Sequence, residues 1–175
     1  GFHRAGDDAP SVPALLAGGL ELDLAGWRID SEGEVRTVSP GVFENFGATR
    51  REGLEASLRF RPSATLSMTT AWGAVRTEIV ENAVAALVGR RVAGVPASTA
   101  SVEVEYAPRP AWSLTAGWRY VGRYDLDAAN TIAAGSYGLL GLGLAYRHEG
   151  RLPYRAYLRL ENAADERHAT NELLL

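Results

Sequence analysis

Residues 44–62, ENFGATRREGLEASLRFRP, alternate between apolar and polar side chains without interruption from Gly53 onward. The even-numbered positions are apolar: Leu54, Ala56, Leu58 and Phe60. The odd-numbered positions are polar or charged: Glu55, Ser57, Arg59 and Arg61. A period of two is typical of a β-strand with one apolar and one polar face. The pattern does not say whether the apolar face covers a protein core or meets lipid.

The same alternation recurs along the chain and predicts an all-β, antiparallel, up-and-down sheet. The predicted strands cover residues 20–30, 45–60, 65–77, 97–107, 112–124, 137–148 and 154–163. We expect no proline inside a strand, because proline cannot donate to the ladder, and a bulge near Gly26. No stretch shows helical periodicity, although the Ala-rich segment 83–88 could form one helical turn.

The predicted connections alternate in length. Short turns that contain proline cover residues 61–64, 107–111 and 149–153, and long loops cover residues 31–44, 78–96 and 125–136. Aromatic residues occupy apolar-face positions near the strand ends: Phe60, Trp72, Tyr106, Trp112, Trp118, Tyr120, Tyr146 and Tyr154. Short turns at one end, long loops at the other and aromatic rings at both edges are typical of outer-membrane barrels, whose apolar face meets lipid.

Composition excludes several classes of function. The chain has 175 residues, a net charge of −3 and no cysteine, so it shows neither a polybasic patch for nucleic acid nor a disulfide framework. It contains no run of about 18 apolar residues, as a transmembrane helix requires. A barrel strand needs only about 9–11 residues, so this does not exclude a membrane protein.

Four stretches together resemble the barrel of TonB-dependent outer-membrane receptors. ENFGATRREGLEAS resembles one of the family's strands through Asn45, Gly47, Gly53, Leu54 and Glu55. GRRVAGVPAS resembles the approach to the next strand through Gly89, Val92 and Pro96. GWRYVGRYDLDAANT resembles an aromatic-Val-Gly strand end followed by an Asp/Asn loop, and YLRLENAADERHAT resembles the penultimate strand. The likeness departs from the family pattern at Ala163, Ala164 and His168.

The resemblance implies that residues 1–175 are a partial C-terminal barrel domain. The predicted strands would be the fifteenth to twenty-first of a barrel of about 22, without the final strand or the plug domain. It further implies a part in active uptake of a ferric siderophore or similar metal chelate through the outer membrane of a Gram-negative bacterium. The implied partners are outer-membrane lipid, the plug domain of the same full-length chain, TonB and the chelate, and no nucleic acid.

A search for catalytic chemistry finds no active site, so we expect neither an enzyme nor a bound cofactor. The three histidines, at positions 3, 148 and 168, have no metal-ligand spacing. GSYG at 135–138 lacks the Gly-x-Ser-x-Gly spacing, and GLLGLG at 138–143 lies in a predicted strand and not at the start of a helix. Glu103 and Glu105 share a face with no sign of a cleft, and are interpreted as polar groups of the barrel interior.

Candidate ligand contacts lie in two of the long loops, which we expect to be extracellular. They are Glu81, Asn82, Arg90, Arg91, Tyr124, Asp125, Asp127 and Asn130. Paired arginines suit an anionic ligand such as a ferric chelate. Two alternatives stay open from the residues alone: a self-contained barrel of about eight strands, and a soluble β-barrel or sandwich that turns its apolar face inward around a small apolar ligand.

Overall fold

The computed structural model describes residues 14–16, 19–39 and 42–168. In this part of the chain the protein is built of β-strands: β1 (Ala14–Leu16), β2 (Leu20–Ser39), β3 (Val42–Ser63), β4 (Leu66–Glu81), β5 (Ser98–Arg109), β6 (Trp112–Val121), β7 (Tyr124–Asp125), β8 (Ala133–Ala134), β9 (Tyr137–His148) and β10 (Tyr154–Leu160). One turn of 3-10 helix, Ala85–Leu87, confirms the helical turn predicted within 83–88.

Eight strands form one antiparallel sheet in the order β1-β2-β3-β4-β5-β6-β9-β10, which confirms the predicted topology of sequential neighbours. The two short strands β7 and β8 pair with each other in a separate hairpin between β6 and β9. Strands β1 and β10 are the two edges of the sheet, so the strands of the described residues do not close into a small barrel. None of the helical structure in these residues is long and apolar enough to cross a membrane.

The pairing register places the even-numbered apolar residues of neighbouring strands opposite one another. One row across the sheet runs Leu22, Leu58, Thr70, Val102, Trp118, Leu140. Opposed residues point to the same side of a sheet, and residues two apart share that side. The predicted apolar face is therefore confirmed as continuous: Leu54, Leu58, Leu66, Val102, Val104, Leu114, Leu140, Leu142, Leu144, Leu158 and Leu160. The opposite, polar face carries Arg59, Glu103, Glu105, Arg119, Arg155 and Arg159, as predicted.

Neither face of the sheet covers a core in the described residues. On the apolar face Leu54 is 60% exposed and Leu158 is 70% exposed. The buried side chains lie instead beside the long connections, at what we call the loop end of the sheet: Phe46, Ala48, Thr49, Thr77, Ile79, Tyr124, Asp125 and Ala134. The opposite edge, with the short connections, is the turn end.

The prediction of a long loop at 31–44 is wrong. Strands β2 and β3 continue through this segment, and their last described pair is Ser39 opposite Val42. The register shifts between Ser31 and Val35, so the alternation of the sequence is broken although the backbones remain paired. The bulge expected near Gly26 is absent, since residues 20–31 pair with 49–60 in unbroken register.

Two of the short turns lie later than predicted. Strands β3 and β5 extend to Ser63 and Arg109, which leaves residues 64–65 and 110–111 as the turns, and the third turn agrees with 149–153. Pro62 and Pro108 therefore lie inside strands, contrary to expectation. Both fall where the register shifts, at Phe60/Ser63 and at Tyr106/Arg109, so the ladder is already interrupted where their missing N–H would have been needed.

Candidate functional site

The structure brings several of the predicted ligand-binding residues to one place, where the β4–β5 connection meets the β6–β9 connection. We call residues 89–97 and 122–134 together the loop junction. The Arg91 guanidinium donates to both carboxylate oxygens of Asp125, from Nε at 2.7 Å and from Nη2 at 3.2 Å. The Asp125 side chain is only 3% exposed, whereas that of Arg91 is 61% exposed. This arrangement is a buried carboxylate with its counter-ion at the surface.

Backbone hydrogen bonds join the same two connections. The Gly94 amide donates to the Asp125 carbonyl at 2.7 Å, and the Ala97 amide donates to the Arg123 carbonyl at 3.2 Å. Because both connections are tied through their backbones as well as through an ion pair, they form one unit at the loop end. Hydrogen bonding to Asp125, followed by the attraction of its charge, raises the pKa of Arg91 above its usual value.

Asn130 completes the junction with its side-chain amide. Its Oδ1 accepts from the Arg91 backbone amide at 2.8 Å, and its Nδ2 donates to the Arg91 carbonyl at 3.0 Å. Asn130 has a positive φ of 56°, a region that asparagine tolerates better than most residues. The Asn130 side chain therefore bonds both the N–H and the carbonyl of Arg91 in the neighbouring loop, and these two bonds position that loop.

Asp127 closes the turn that precedes β8. Its oxygens accept from the Ile132 amide at 2.7 Å, the Thr131 amide at 2.8 Å and the Thr131 hydroxyl at 2.7 Å. The bond from the Ile132 backbone, together with those from Thr131, lowers the pKa of Asp127 below its ordinary 3.8. The Asp127 carboxylate thus stabilises the turn at residues 127–132 through bonds to Thr131 and Ile132.

The remaining predicted residues divide into structural and exposed ones. Asn82 donates to the Phe46 carbonyl at 2.6 Å and so ties the end of β4 to β3, and Tyr124 is buried. Glu81 ends β4 with an exposed side chain. Arg90 is exposed, and its backbone carbonyl accepts from the Ile79 amide at 2.8 Å. Within the described residues no ion pair involves the side chain of Glu81 or of Arg90.

The sequence analysis did not identify two residues of β4 that bond the β4–β5 connection and so support the loop junction. Thr77 accepts the Val92 amide at its hydroxyl at 3.0 Å, and the Ile79 carbonyl accepts the Gly89 amide at 2.8 Å. Both lie on the polar face, where an isoleucine is out of place. That departure from alternation was the available signal that the face becomes covered near residue 79.

A second polar cluster lies where the loop was wrongly predicted. Glu34 accepts from Arg51 at 2.6 and 3.1 Å and from the Thr49 hydroxyl at 2.8 Å. Partial burial raises the pKa of Glu34, but the bonds from Arg51 and Thr49 outweigh it, so that the pKa lies below its usual value. The cluster ties the β2–β3 extension together on the polar face.

Farther from the loop end, polar side chains on neighbouring strands pair across the polar face. Arg59 donates to Glu21 at 2.8 Å, and the Ser57 hydroxyl donates to Asp23 at 3.1 Å. The Trp27 indole lies over Gly53, where a side chain would collide with the ring, and its N–H donates to Glu55 at 2.9 Å. Opposite charges on facing strands stabilise a sheet and suit a wet interior.

Aromatic rings bound the apolar face at both of its edges. At the turn end Trp112 lies 4.7 Å from Tyr146, and Tyr146 lies 6.1 Å from Tyr154, between ring centroids. Toward the loop end Trp118 and Tyr120 stack at 5.8 Å. This sheet has an apolar band between two aromatic rows on one face and polar residues on the other. The same arrangement is typical of the wall of a transmembrane β-barrel.

Comparison with known families identifies which barrel this is. The family model described as TonB dependent receptor-like, beta-barrel, matches residues 14–163. The chain belongs to this family. Its members and the similar solved structures are receptors and transporters.

Solved structures share the fold at low sequence identity. The ferric yersiniabactin uptake receptor FyuA from Yersinia pestis is 20% identical with a TM-score of 0.73, over 90% of this chain and 24% of that one. The ferric preacinetobactin receptor BauA from Acinetobacter baumannii is 17% identical with a TM-score of 0.71, over 87% of this chain and 24% of that one. The copper transporter OprC is 14% identical with a TM-score of 0.66, over 87% and 24%. The chain thus spans about a quarter of the length of these proteins.

Proposed function

We propose that the chain forms part of the barrel wall of an outer-membrane receptor that takes up a ferric siderophore or similar metal chelate in a Gram-negative bacterium. The observation that carries the proposal is the register, which aligns one apolar face across seven long strands between two rows of aromatic rings. Strands β5, β6 and β9 have 12, 10 and 12 residues, which suits the roughly 9–11 residues that a tilted strand needs to cross the bilayer.

In this proposal the apolar face meets lipid and the polar face lines the barrel interior. The loop end faces the outside of the cell, because the longer connections of such barrels are extracellular. The chain supplies wall and extracellular loops. Energy coupling belongs to the plug domain and to TonB, which act on the receptor as a whole.

The substrate class follows from the names of similar proteins and from the charges that the loop end leaves exposed. The similar structures are named for ferric preacinetobactin, ferric yersiniabactin and copper. The exposed side chains of Arg90 and Arg91 suit an anionic chelate, since arginine forms strong, directional bonds with carboxylates and catecholates. In this proposal Asp125 holds the Arg91 side chain and Asn130 holds the Arg91 backbone. Asp127 holds its own turn, and none of the three contacts the ligand.

The test uses the full-length receptor that contains this chain. Ferric citrate, a ferric catecholate and a cupric chelate are titrated against the purified receptor, and uptake of the radiolabelled metal is followed in cells with and without TonB. We expect at least one chelate to bind at micromolar concentration or below and its uptake to require TonB. If no chelate binds, or if uptake continues unchanged without TonB, the proposal is wrong.

A matched pair of variants tests the loop contacts. Arg90→Gln removes an exposed charge at the loop end, and Arg109→Gln removes an exposed charge near the turn end. We expect Arg90→Gln to weaken chelate binding about tenfold, as loss of one charge-assisted hydrogen bond would, and Arg109→Gln to leave it unchanged. Equal effects of the two variants would contradict a ligand site at the loop end.

A further inference from the structure

The β4–β5 connection has an unusual composition for a segment at the surface. Residues 82–97, NAVAALVGRRVAGVPA, contain two arginines, one asparagine and no carboxylate. Every other residue of this stretch is apolar, glycine or proline. Asn, Asp and Ser usually join Gly and Pro in such connections, because their side chains bond the backbone of turns. This connection is instead cationic and apolar at once.

Residues 84–88, which we call the apolar turn, are held at both ends. At the start, the Asn82 Oδ1 accepts the Val84 amide at 2.8 Å. At the end, the Gly89 amide donates to the Ile79 carbonyl of β4 at 2.8 Å. The apolar turn is therefore anchored to the loop end of the sheet.

The apolar turn is nevertheless uncovered within the part of the chain that the structure describes. None of its five residues is buried, and Val84 and Val88 are 53% and 46% exposed. Apolar residues scattered singly over a surface are normal, whereas a contiguous apolar surface with a polar rim is typical of an interaction site. The apolar turn is contiguous, and its rim is formed by the arginines that follow it.

Positive charge lies directly beside the apolar turn. Arg90 is exposed and follows Val88 by two residues, which span at most about 7 Å. The bonds of Arg91 to Asp125 use Nε and Nη2, so Nη1 is without a bond among the described residues. The loop junction as a whole contains three arginines and two aspartates, so its net charge is positive. This rim suits an anion.

A further exposed apolar side chain approaches these arginines from the neighbouring connection. Asn130 bonds both the amide and the carbonyl of Arg91, and Ile132 follows Asn130 by two residues. Ile132 is 57% exposed, and its amide donates to Asp127 at 2.7 Å, which fixes its backbone. Both connections therefore place exposed apolar side chains next to the arginines.

We propose that the apolar turn, Arg90 and Ile132 form a subsite for an aryl group that carries an anionic oxygen, as in a catecholate or phenolate chelator. The inference rests on the proposed function and narrows its chelate to one with an aryl group. Arginine donates charge-assisted hydrogen bonds to such an oxygen and stacks on aromatic faces. A chelator of carboxylates and hydroxyls alone would match the arginines but would leave the apolar turn in water.

The experiment measures the affinity of the purified full-length receptor for two ferric complexes. The ferric complex of dihydroxybenzoate carries anionic oxygens on an aryl ring, and ferric citrate carries them without a ring. We expect wild type to bind the aryl complex more tightly. Val88→Asn should weaken binding of the aryl complex about fivefold, as loss of part of a valine's apolar contact would, and should leave the affinity for ferric citrate unchanged.

Two further variants accompany Val88→Asn. Ile132→Asn makes the same change on the neighbouring connection and should show the same selective loss, so it decides the test if Val88→Asn does not assemble. Leu152→Asn is the matched control, because Leu152 is an exposed apolar residue in the turn at 149–153, at the turn end of the sheet. It should bind both complexes as wild type does. Heat-modifiable gel mobility checks the assembly of each variant.

Three results would overturn the inference. The first is equal affinity of wild type and the two loop-end variants for the aryl complex. The second is an equal loss of both complexes in these variants, which would show that the apolar turn packs against another part of the receptor. The third is the absence of a preference for the aryl complex in wild type.

The failure of this inference is distinguishable from that of the proposed function. If ferric citrate or a cupric chelate binds and its uptake requires TonB while any of these three results is obtained, only the aryl subsite is wrong. If no chelate binds to wild type, the proposed function fails and the aryl subsite fails with it.

Discussion

The middle of the sheet and the loop junction differ in which side chains they expose and in what holds them together. In the middle of the sheet the apolar side chains are exposed, as Leu142 is at 43%, and the strands are held by backbone ladders. At the loop junction the chain buries a carboxylate, Asp125, under an arginine and ties two connections together by backbone and side-chain bonds. The difference teaches that the middle of the sheet has no protein cover for its apolar side chains, which the proposed function places against lipid, whereas the loop junction is held by contacts within the chain.

The largest expected effect comes from a charge in the middle of the apolar face, which tests whether this face meets lipid. Leu142→Arg should cost about 2–4 kcal/mol in the bilayer, because arginine on the lipid side must be desolvated near the midplane. Heat-modifiable gel mobility of the full-length receptor in outer membranes should show impaired assembly.

The matched control is Thr115→Arg. Thr115 lies on the polar face, and its neighbour in the chain, Ala116, lies opposite Leu142, so the two substitutions are at the same height in the sheet but on opposite faces. An arginine there lies opposite Glu105 and beside Gly143, so it gains a counter-ion and has space. We expect it to assemble nearly as wild type does. Equal assembly of the two variants would contradict a lipid-facing apolar surface.

A second substitution tests the backbone of the loop end. Gly47 has a φ of 99°, and a side chain there would collide with the Glu81 carbonyl. Gly47→Ala should destabilise the β3–β4 extension toward the upper end of the roughly 1–3 kcal/mol that local backbone strain costs. Faster hydrogen exchange in residues 46–49 and 77–81 would report it.

Gly33→Ala separates strain from collision. Gly33 has a φ of 64° but open space where a side chain would be added. We expect it to cost about 1–2 kcal/mol, the ordinary penalty of the left-handed region for alanine. If Gly33→Ala proves as disruptive as Gly47→Ala, the close approach of the Glu81 carbonyl is not the reason that position 47 requires glycine.

The ion pair of the loop junction should show an asymmetric, smaller effect. Arg91→Ala leaves the buried Asp125 carboxylate without its partner, whereas Asp125→Ala leaves an arginine that water already solvates. We expect Arg91→Ala to cost about 1 kcal/mol, since the exposed guanidinium is well screened. Hydrogen exchange at residues 94–97 and 124–126 should rise more in Arg91→Ala than in Asp125→Ala. The reverse order would contradict the buried position of Asp125.

The smallest effect concerns acid pH and the Asp127 turn. Because the folded state lowers the pKa of Asp127 below 3.8, the ionised carboxylate stabilises the turn above that pH, and this contribution is lost as pH falls through the folded pKa. Amide resonances of Thr131 and Ile132 should titrate with a midpoint below 3.8 while the middle of the sheet is unaffected. Asp127→Asn should abolish this titration. A midpoint at or above 3.8 in wild type would contradict the proposed hydrogen bonds.

The sequence by itself determined the two faces of the sheet. The alternation of Leu54, Leu58 and their neighbours is a local property, because residues two apart must share a side of any extended strand. Sequential pairing followed from short turns such as 149–153. Even the helical turn near Ala85 was visible in composition.

Only the tertiary structure decided where the strands end and what the loop residues do. The extension of β2 and β3 past residue 31 could not be seen, because bulges between Ser31 and Val35 break the alternation while pairing continues. The chemistry of Asp125, Asp127 and Asn130 predicts ligand contacts, but only the structure shows their partners within the chain: the Arg91 guanidinium for Asp125, Thr131 and Ile132 for Asp127, and the Arg91 backbone for Asn130. Arg91 and Asp125 are 34 residues apart, and a contact between such distant residues depends on how the loops pack, about which a period of two carries no information.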